Sequence, residues 1–306
     1  MARKRYQTVS LVLGSGGARG LAHIGVIQWL EEHGYRIESI AGASMGALVG
    51  GIHAAGQLGS YRDWVCALHR TDVLRFLDLS FQSGGLIKGD RIIDTLRRMV
   101  GDHVIEDLPI AFTAVATDID RRREVWISQG PLFDAIRASI AVPTVFTPHR
   151  YMDMNLLDGG LLNPVPIAPT FRDFTDLTIA VNLNAEPTPG RAPKEPQTAP
   201  EPSAKEAATR DGDDSLHARI LQYLDSISDS LKPDDDEIRL GLFELVTSSF
   251  ETMQNAIAAV KLAAYAPDVL INVPRDACAA HEFHRARELN ALGRRLAADA
   301  IPGSQD

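Results

Sequence analysis

Two repeating patterns of hydrophobic and polar positions in the first fifty residues predict the core of the fold. Residues Thr8 to Leu13 and Ile37 to Ala41 are short apolar runs, which are typical of buried parallel strands. Each run is followed by apolar residues at helical spacing, first from Leu21 to Leu30 and then from Ala47 onward. This strand–helix–strand–helix order predicts a parallel sheet with helices on its faces.

The same two patterns predict further strands and helices along the chain. Strands are expected at 110–117, 124–127, 177–183 and 269–274. Helices are expected at 61–77, 91–100, 131–140, 216–231, 238–262 and 279–298. We therefore expect an α/β fold with three layers, in which a central and mostly parallel sheet is flanked by helices.

An apolar stripe is expected along the helix at 238–262. Its members share one region of the helix surface: Leu242, Leu245, Val246, Met253, Ile257 and Val260. The default interpretation is that this stripe packs on the domain. A second subunit, giving a homodimer, or a lipid surface is the alternative partner.

The composition changes sharply between residues 185 and 214. Six prolines occur there, at positions 187, 189, 193, 196, 200 and 202, with almost no large apolar residue. Such a segment cannot bury an apolar face, so we predict a disordered insertion at about 185–214. The expected organisation is a single domain over 1–306, with this insertion and a helical C-terminal part at 215–306.

Charge and cysteine content narrow the range of functions. The chain has 306 residues and a formal net charge of −9, which argues against nucleic acid as a partner. Cys66 and Cys278 lack metal-ligand spacing and are expected to be free thiols in a reducing compartment. Neither a metal nor a cofactor is predicted. Because no apolar stretch reaches the length of a membrane span, we expect a cytoplasmic protein.

A serine lies at the junction between the second predicted strand and the following helix. The sequence there is Gly42-Ala43-Ser44-Met45-Gly46, a Gly-x-Ser-x-Gly pentapeptide. Strand, sharp turn with serine, and helix are the sequence form of a nucleophile elbow. Gly42 and Gly46 are expected to be required because larger side chains would collide within so tight a turn.

A glycine-rich loop follows the first predicted strand, from Gly14 to Gly20. A dinucleotide cradle would need its third glycine at position 19, which is Arg19, so the match to that motif fails and the sequence disfavours this interpretation. The alternative is an oxyanion hole, formed by the backbone N–H groups of Gly16 and Gly17 together with that of Met45 after the serine.

Three motifs together resemble the patatin-like phospholipase family. They are Gly14-x-Gly16-Gly17-x-Arg19-Gly20, then Gly42-x-Ser44-x-Gly46, and then Asp158-Gly159-Gly160. The chain looks most like compact bacterial members related to the catalytic domain of neuropathy target esterase. The resemblance covers about 8–185 and, more loosely, 235–275.

The resemblance implies a serine lipid acyl hydrolase that cleaves esters in phospholipids, lysophospholipids or related acyl esters. It implies a Ser–Asp dyad, with Ser44 as the nucleophile and Asp158 as the base. It further implies that Arg19 holds the glycine loop in shape and that the apolar segment 138–143 lies near an acyl-binding cleft. Supporting glycines by the same resemblance are Gly14, Gly20, Gly42, Gly46, Gly159 and Gly160. Lipid substrates imply peripheral contact with a membrane.

Three alternatives remain open at the level of sequence. A Ser-Asp-His triad would use a later histidine: His217, His281 or His284. A thioesterase or transacylase could use the same residues as a lipid hydrolase. A non-enzymatic regulatory adaptor could keep the fold, with the proline-rich insertion as a tether.

Overall fold

The computed structural model of the chain describes residues 7–73, 89–143, 145–187 and 235–301. The strands in these ranges form one eight-stranded sheet. They are β1 (Gln7–Leu13), β2 (Tyr35–Ala43), β3 (Ala111–Asp118), β4 (Arg123–Ile127), β5 (His149–Tyr151), β6 (Met154–Asp158), β7 (Leu177–Ala185) and β8 (Val269–Pro274). The helices are α1 (Ala22–Glu32), α2 (Met45–Ala54), α3 (Leu58–Ala67), α4 (Asp90–Val100), α5 (Leu132–Ser139), α6 (Asp235–Ala264) and α7 (Ala286–Ala300).

The centre of the sheet is parallel. The strand order is β5-β6-β3-β2-β1-β7-β8, and β4 also pairs with β3. β1 pairs in parallel with β2 and β7, β2 with β3, and β7 with β8, whereas β4, β5 and β6 are antiparallel to their partners. The predicted α/β fold with a mostly parallel sheet is confirmed.

Strands β2 and β6 share one edge of β3 and meet end to end. Ala114 and Val115 pair with β2 on one side and β4 on the other, while the residues that follow pair with β4 and β6. From Ala114 to Asp118, β4 therefore occupies one edge of β3, while β2 and β6 follow each other along the opposite edge. Ala43 at the end of β2 lies opposite Val115, and Asp158 at the end of β6 lies opposite Ala116.

Alternate side chains of the central strands enter two hydrophobic layers, as the two-residue period of a strand requires. On one face, Leu11 and Ile40 belong to the larger core cluster, which also contains buried residues of α1, α2, α5 and α7. On the other face, Val12 and Ala180 pack with Ala258 of α6. Sheet and helices therefore form the three layers that were predicted.

The chain divides into two compact units. One is Met1–Pro189 together with Phe250–Asp306, and the other is Gly190–Ser249. All eight strands belong to the first unit. β7 continues through Ala185, and residues 188–234 are not among those described. The predicted insertion at 185–214 therefore lies mostly outside the described residues, and the predicted helix at 216–231 lies wholly outside them.

Two predicted helix boundaries are wrong. The helix predicted at 61–77 is interrupted after Ala67, because Leu68 has the extended backbone angles φ −68° and ψ 128°. Helical residues resume at 70–73, and 74–77 lie outside the described residues. α7 begins at Ala286 instead of Ala279, because the preceding residues form turns. In one of these turns, the Glu282 carboxylate accepts a hydrogen bond from the Ala279 N–H at 2.8 Å.

The predicted packing of the α6 stripe on the domain is also wrong. Four of its members are exposed: Leu245, Val246, Met253 and Val260. Between Leu245 and Ala264, where burial is described, the buried positions are instead the small Ala258 and the polar Gln254. The side chain of Leu242 lies outside that part of the helix. Among the described helices, none combines the length and the apolar character needed to cross a bilayer.

Candidate active site

Ser44 occupies a strained turn between β2 and α2. Its backbone angles are φ 54° and ψ −122°, a region that residues other than glycine rarely adopt. The side chain is 4% exposed. The serine therefore stands at the carboxyl end of a parallel strand and immediately before the first turn of a helix.

The turn leaves no space for side chains at the two flanking glycines. A Cβ atom at position 42 would lie 2.5 Å from the carbonyl oxygen of Gly46. A Cβ atom at position 46 would lie 1.9 Å from the carbonyl oxygen of Leu13 in β1. Both distances are far below van der Waals contact, so the elbow requires glycine on each side of the serine.

Ser139, at the end of α5, fixes the backbone of the elbow. The Ser44 N–H donates to Ser139 Oγ at 2.9 Å, and the Ser139 hydroxyl donates to the Val115 carbonyl at 2.6 Å. Ser139 is fully buried. One hydroxyl therefore joins α5, β3 and the elbow. Sequence reasoning missed this role, since Ser139 stood only within an apolar segment assigned to a cleft.

Asp158 is held by three hydrogen bonds at the end of β6. Its N–H donates to the Ala141 carbonyl at 3.0 Å, and its carbonyl accepts from Thr117 Oγ1 at 3.0 Å. In the side chain, Oδ1 accepts the N–H of Gly160 at 2.7 Å. The residue is completely buried. Asp158 therefore has a fixed backbone and one committed carboxylate oxygen.

Burial changes the acidity of Asp158. Loss of hydration raises the pKa of this carboxyl group to about 7, although the Ser44 hydroxyl and the Gly160 N–H both act to lower it. A carboxylate that titrates near neutrality is a much stronger base than a solvated aspartate, whose pKa is about 4. The sequence could not reveal this shift, because the burial of Asp158 depends on the tertiary structure.

Ser44 and Asp158 come together through adjacent positions on β3. Ser44 follows the residue opposite Val115, and Asp158 lies opposite Ala116. The Ser44 hydroxyl is close enough to affect the pKa of Asp158, yet in the described part of the chain Asp158 Oδ2 is buried without a hydrogen bond of ordinary geometry. Such contacts are often loose in the absence of substrate. Oδ2 is thus the oxygen left to receive a proton.

The glycine loop lies against the start of α2. A Cβ atom at Gly20 would approach the Cβ of Met45 to 2.4 Å, and one at Gly16 would approach the Cβ of Leu183 to 2.5 Å. Gly17 has φ +57°, a left-handed angle that glycine adopts without strain. Within the described ranges, no acceptor is found for the N–H groups of Gly16, Gly17 and Met45.

Arg19 links the glycine loop to later parts of the chain. It is 4% exposed, and its guanidinium donates to the carbonyls of Arg275 and Cys278 and to the side chains of Asn184 and Glu251, at 3.2 to 3.3 Å. The Asn184 amide in turn donates to the Ser15 carbonyl at 3.0 Å. These contacts connect the glycine loop to β7, to α6 and to the segment after β8, and the shaping of the loop by Arg19 stays a prediction.

Gln254 of α6 adds a second attachment to the same loop. Its side chain, 3% exposed, donates to Ser15 Oγ at 3.0 Å. A Cβ atom at Gly160 would collide with both of these side chains, at 2.1 Å from Gln254 Nε2 and 2.5 Å from Ser15 Oγ. The glycine loop, the Asp158 turn and α6 therefore meet at one point. Nothing in the spacing of the sequence indicated this contribution of α6.

The described histidines lie outside the Ser44–Asp158 pair. Burial lowers the pKa of His23 to about 4, and His23 Nε2 donates to the Gly14 carbonyl at 2.9 Å. Burial likewise lowers the pKa of His53 to about 4. Among the described residues, no histidine side chain hydrogen bonds to Ser44 or Asp158, and this includes His281 and His284. His217 lies outside the described residues.

The comparisons with known proteins agree with these motifs. The family model for patatin-like phospholipases matches residues 11–171. The uncharacterized NTE family protein Mb1092c of Mycobacterium bovis is 42% identical over 327 residues, which cover 96% of this chain and 91% of that protein. Lysophospholipase nte1 of Emericella nidulans is 31% identical over 195 residues, which cover 58% of this chain and 12% of that protein.

A solved structure shows a more distant similarity. VipD from Legionella pneumophila aligns with a TM-score of 0.39 and 16% sequence identity, over 57% of this chain and 50% of that chain. That likeness is too weak to support a conclusion. The family model, in contrast, spans more than half of this chain, and the Mycobacterium bovis relative spans nearly all of it. The chain therefore belongs to the patatin-like phospholipase family and, within it, to the NTE family.

Proposed function

We propose that this protein is a serine lipid acyl hydrolase that cleaves carboxylic esters of phospholipids or lysophospholipids. The observation that carries the proposal is the buried Asp158, whose pKa is about 7 and whose Oδ2 has no hydrogen bond of ordinary geometry among the described residues, beside Ser44 on its elbow. The family description and the lysophospholipase relative supply the substrate class.

In the proposed acylation step, Asp158 Oδ2 accepts the proton of the Ser44 hydroxyl while Ser44 Oγ forms a bond to the ester carbonyl carbon. The resulting tetrahedral intermediate carries its negative charge on the former carbonyl oxygen. When it collapses, the bond to the alcohol oxygen breaks and Asp158 returns the proton to that oxygen. The products are an alcohol, or a lysolipid, and an acyl ester on Ser44.

Deacylation repeats the sequence with water. Asp158 accepts a proton from the attacking water, and the bond between Ser44 Oγ and the acyl carbon breaks after a second tetrahedral intermediate. Ser44 Oγ leaves with the proton from Asp158, so that the free enzyme and a fatty acid are produced. One carboxylate serves as base and then as acid in each half, which suits a pKa near neutrality.

Backbone N–H groups are proposed to stabilise the oxyanion in both halves. The candidates are those of Gly16, Gly17 and Met45. The Ser44 N–H is not a candidate, since it already donates to Ser139. Met45 is the first residue of α2, so the positive end of the helix dipole also faces this position.

The test is hydrolysis of a short-chain p-nitrophenyl ester by purified protein. We expect Ser44→Ala and Asp158→Asn each to lower kcat/KM by at least about a hundredfold, since each removes one partner of the proton transfer. The matched control is the double variant His281→Ala/His284→Ala, which is expected to keep wild-type activity. Loss of activity in that control would favour the Ser-Asp-His triad over the dyad.

The substrate class is tested separately, with a panel of phospholipids, lysophospholipids and acyl-CoA esters. Faster turnover of acyl-CoA than of any glycerolipid would point to the thioesterase alternative. A wild-type protein inert toward the entire panel would contradict the proposal and leave the adaptor alternative.

A further inference from the structure

Between Phe250 and Ala264, the two faces of α6 differ in charge, since the exposed face carries no charged side chain. Every exposed residue on this stretch is uncharged: Thr252, Met253, Ala256, Ala259, Val260, Ala263 and Ala264. The largest of them, Met253 and Val260, are 53% and 69% exposed. We call this set the outer face of α6. A helix face in water normally carries charged side chains, so this one is unusual for a surface without a partner.

The two charged residues of the same stretch are turned away from this face. Glu251 pairs with Arg19 at 3.2 Å, and Lys261 pairs with Glu124 of β4 at 3.2 Å. The helix is thus fixed on the sheet by its ion pairs and by the buried Gln254 and Ala258. The outer face is held outward by these attachments.

An exposed tryptophan of β4 is linked to α6 through a shared carboxylate. Trp126 of β4 is 48% exposed, and its Nε1 donates to Glu124 Oε1 at 2.6 Å. The other oxygen of Glu124 accepts from Lys261. One carboxylate therefore bridges the two elements and places Trp126 next to the helix. An indole with its N–H bound and its ring exposed is typical of proteins that contact the region between lipid headgroups and acyl chains.

We propose that the outer face of α6, with Trp126 at its side, docks on the surface of a phospholipid bilayer. The inference rests on the proposed function, because a lipid hydrolase must reach substrate held in a membrane. Gln254 and Glu251 on the inner side hold the glycine loop. A helix is about 10 Å across, so docking through the outer face would bring the glycine loop within about that distance of the lipid.

A second copy of the chain fits this face less well than lipid does. The stretch from Phe250 to Ala264 is about 22 Å long and presents a strip about 10 Å wide, or roughly 220 Å². A stable protein interface buries about 800 Å² on each partner. A bilayer needs no matched surface of fixed area, and partial insertion of a few apolar side chains suffices for reversible binding.

The charges near this face indicate which lipids it would bind. The turn after β3 carries Arg121 and Arg122, and Arg123 begins β4, but Arg121 pairs with Asp118 at 3.0 Å and with Asp153 at 3.1 Å. With Asp120 also in this turn, the charges balance, and the whole chain has a net charge of −9. Binding through the outer face should therefore need no anionic lipid and should vary little with salt.

Flotation of the full chain with vesicles of pure phosphatidylcholine tests the proposal. We expect wild type to float with the vesicles and the double variant Met253→Ser/Val260→Ser to show at least about a fivefold smaller bound fraction. Raising the salt to about 0.5 M should leave wild-type binding nearly unchanged. The matched control is Phe174→Ser, which removes another exposed apolar side chain just before β7, at the opposite end of the sheet from Ser44.

Hydrolysis of a water-soluble p-nitrophenyl ester separates docking from catalysis. The double variant should keep wild-type activity on this substrate and an unchanged unfolding midpoint, since neither side chain supports the site. If wild type does not float, or if the double variant floats equally well, the docking proposal is overturned. If wild type sediments as a dimer and the double variant as a monomer while flotation is unchanged, a second copy covers the face instead. Vesicle binding by a protein inert on esters would refute the hydrolase and leave the docking surface standing.

Discussion

At the scale of single residues, the chemistry of the site depends on one buried carboxyl group. No cationic group is among the interactions that set the pKa of Asp158. Desolvation therefore dominates, and the pKa rises to about 7. Two buried histidines elsewhere in the core shift in the opposite direction, because burial disfavours their charged form. The pKa values of His23 and His53 are both lowered to about 4.

These shifts predict the pH dependence of hydrolysis. A base must be ionised to accept a proton, so kcat/KM should fall below about pH 7 and lose about tenfold for each further pH unit. His23 and His53, neutral above about pH 4, cannot produce that change. The measurement is a pH profile of kcat/KM on a neutral soluble ester.

The control for this profile is the double variant His281→Ala/His284→Ala, which should retain the same acid limb. A limb that moves or disappears in this variant would assign the titration to a histidine. A midpoint near pH 4, the range of a solvated aspartate, would contradict the role of burial.

At the scale of elements, α5 contributes to the geometry of an elbow built from β2 and α2. Ser139 Oγ accepts a hydrogen bond from the buried N–H of Ser44, and the Ser139 hydroxyl donates to the carbonyl of Val115 in β3. Loss of an acceptor in such a place leaves a buried donor unpaired, at about 1 to 3 kcal/mol. The position of Ser44 Oγ depends on that same peptide.

Ser139→Ala is therefore expected to lower kcat for ester hydrolysis by about tenfold with little change in KM. Its matched control is Thr170→Ala, which removes another buried hydroxyl, one bonded to the Ile167 carbonyl at 2.8 Å. Both variants should lose similar stability in urea unfolding, but only the first should lose activity. Equal activity in the two would show that Ser139 supports the fold alone.

How far the elements could be predicted depends on the range of the interactions behind them. Apolar runs and glycine positions are local signals, and they indicated the parallel core, the Ser44 elbow and the glycine loop. The contacts of Arg19 reach Asn184 and Glu251, which are 165 and 232 residues away, so no local pattern could reveal them.

The predicted packing of the apolar stripe of α6 was wrong for a different physical reason. Periodicity identifies a hydrophobic face, but it does not say what that face contacts. Here the helix packs inward through a small residue and polar partners, Ala258 and Gln254, and leaves Met253 and Val260 in solvent. The hydrophobic pattern therefore identified the apolar face correctly. The tertiary contacts, which the pattern does not contain, leave that face in solvent instead of in the core.

At the scale of the whole molecule, the buried carboxyl group links stability to pH. The pKa of Asp158 is higher in the folded chain, at about 7, than in the unfolded chain, where it is about 4. Its contribution to folding stability is therefore fully present below about pH 4 and is lost as the pH rises toward about 7. Above about pH 7 the folded state carries a penalty of roughly 4 kcal/mol from this group.

Asp158→Asn should remove that penalty. We expect the variant to be more stable than wild type at about pH 8, by up to roughly 4 kcal/mol, and to show no such gain at about pH 4. Urea unfolding at both pH values measures the difference. Ser44→Ala keeps the carboxyl group and removes a hydroxyl that lowers its pKa, so this variant should lose at least as much stability as wild type between about pH 4 and about pH 8. A gain for Asp158→Asn that is equal at both pH values would contradict the assignment.

Because β2 and β6 meet end to end along β3, the site tolerates insertions and deletions differently in different parts of the chain. Val115 and Ala116 are consecutive on β3, so a single peptide unit, about 3.3 Å long, sets the offset between the two reactive groups. The loops that connect Ser44 to β3 and β3 to Asp158 along the chain do not enter that offset. Insertions and deletions in the loops between these elements leave the spacing intact, whereas one added residue in β3 at this point would shift Ser44 relative to Asp158.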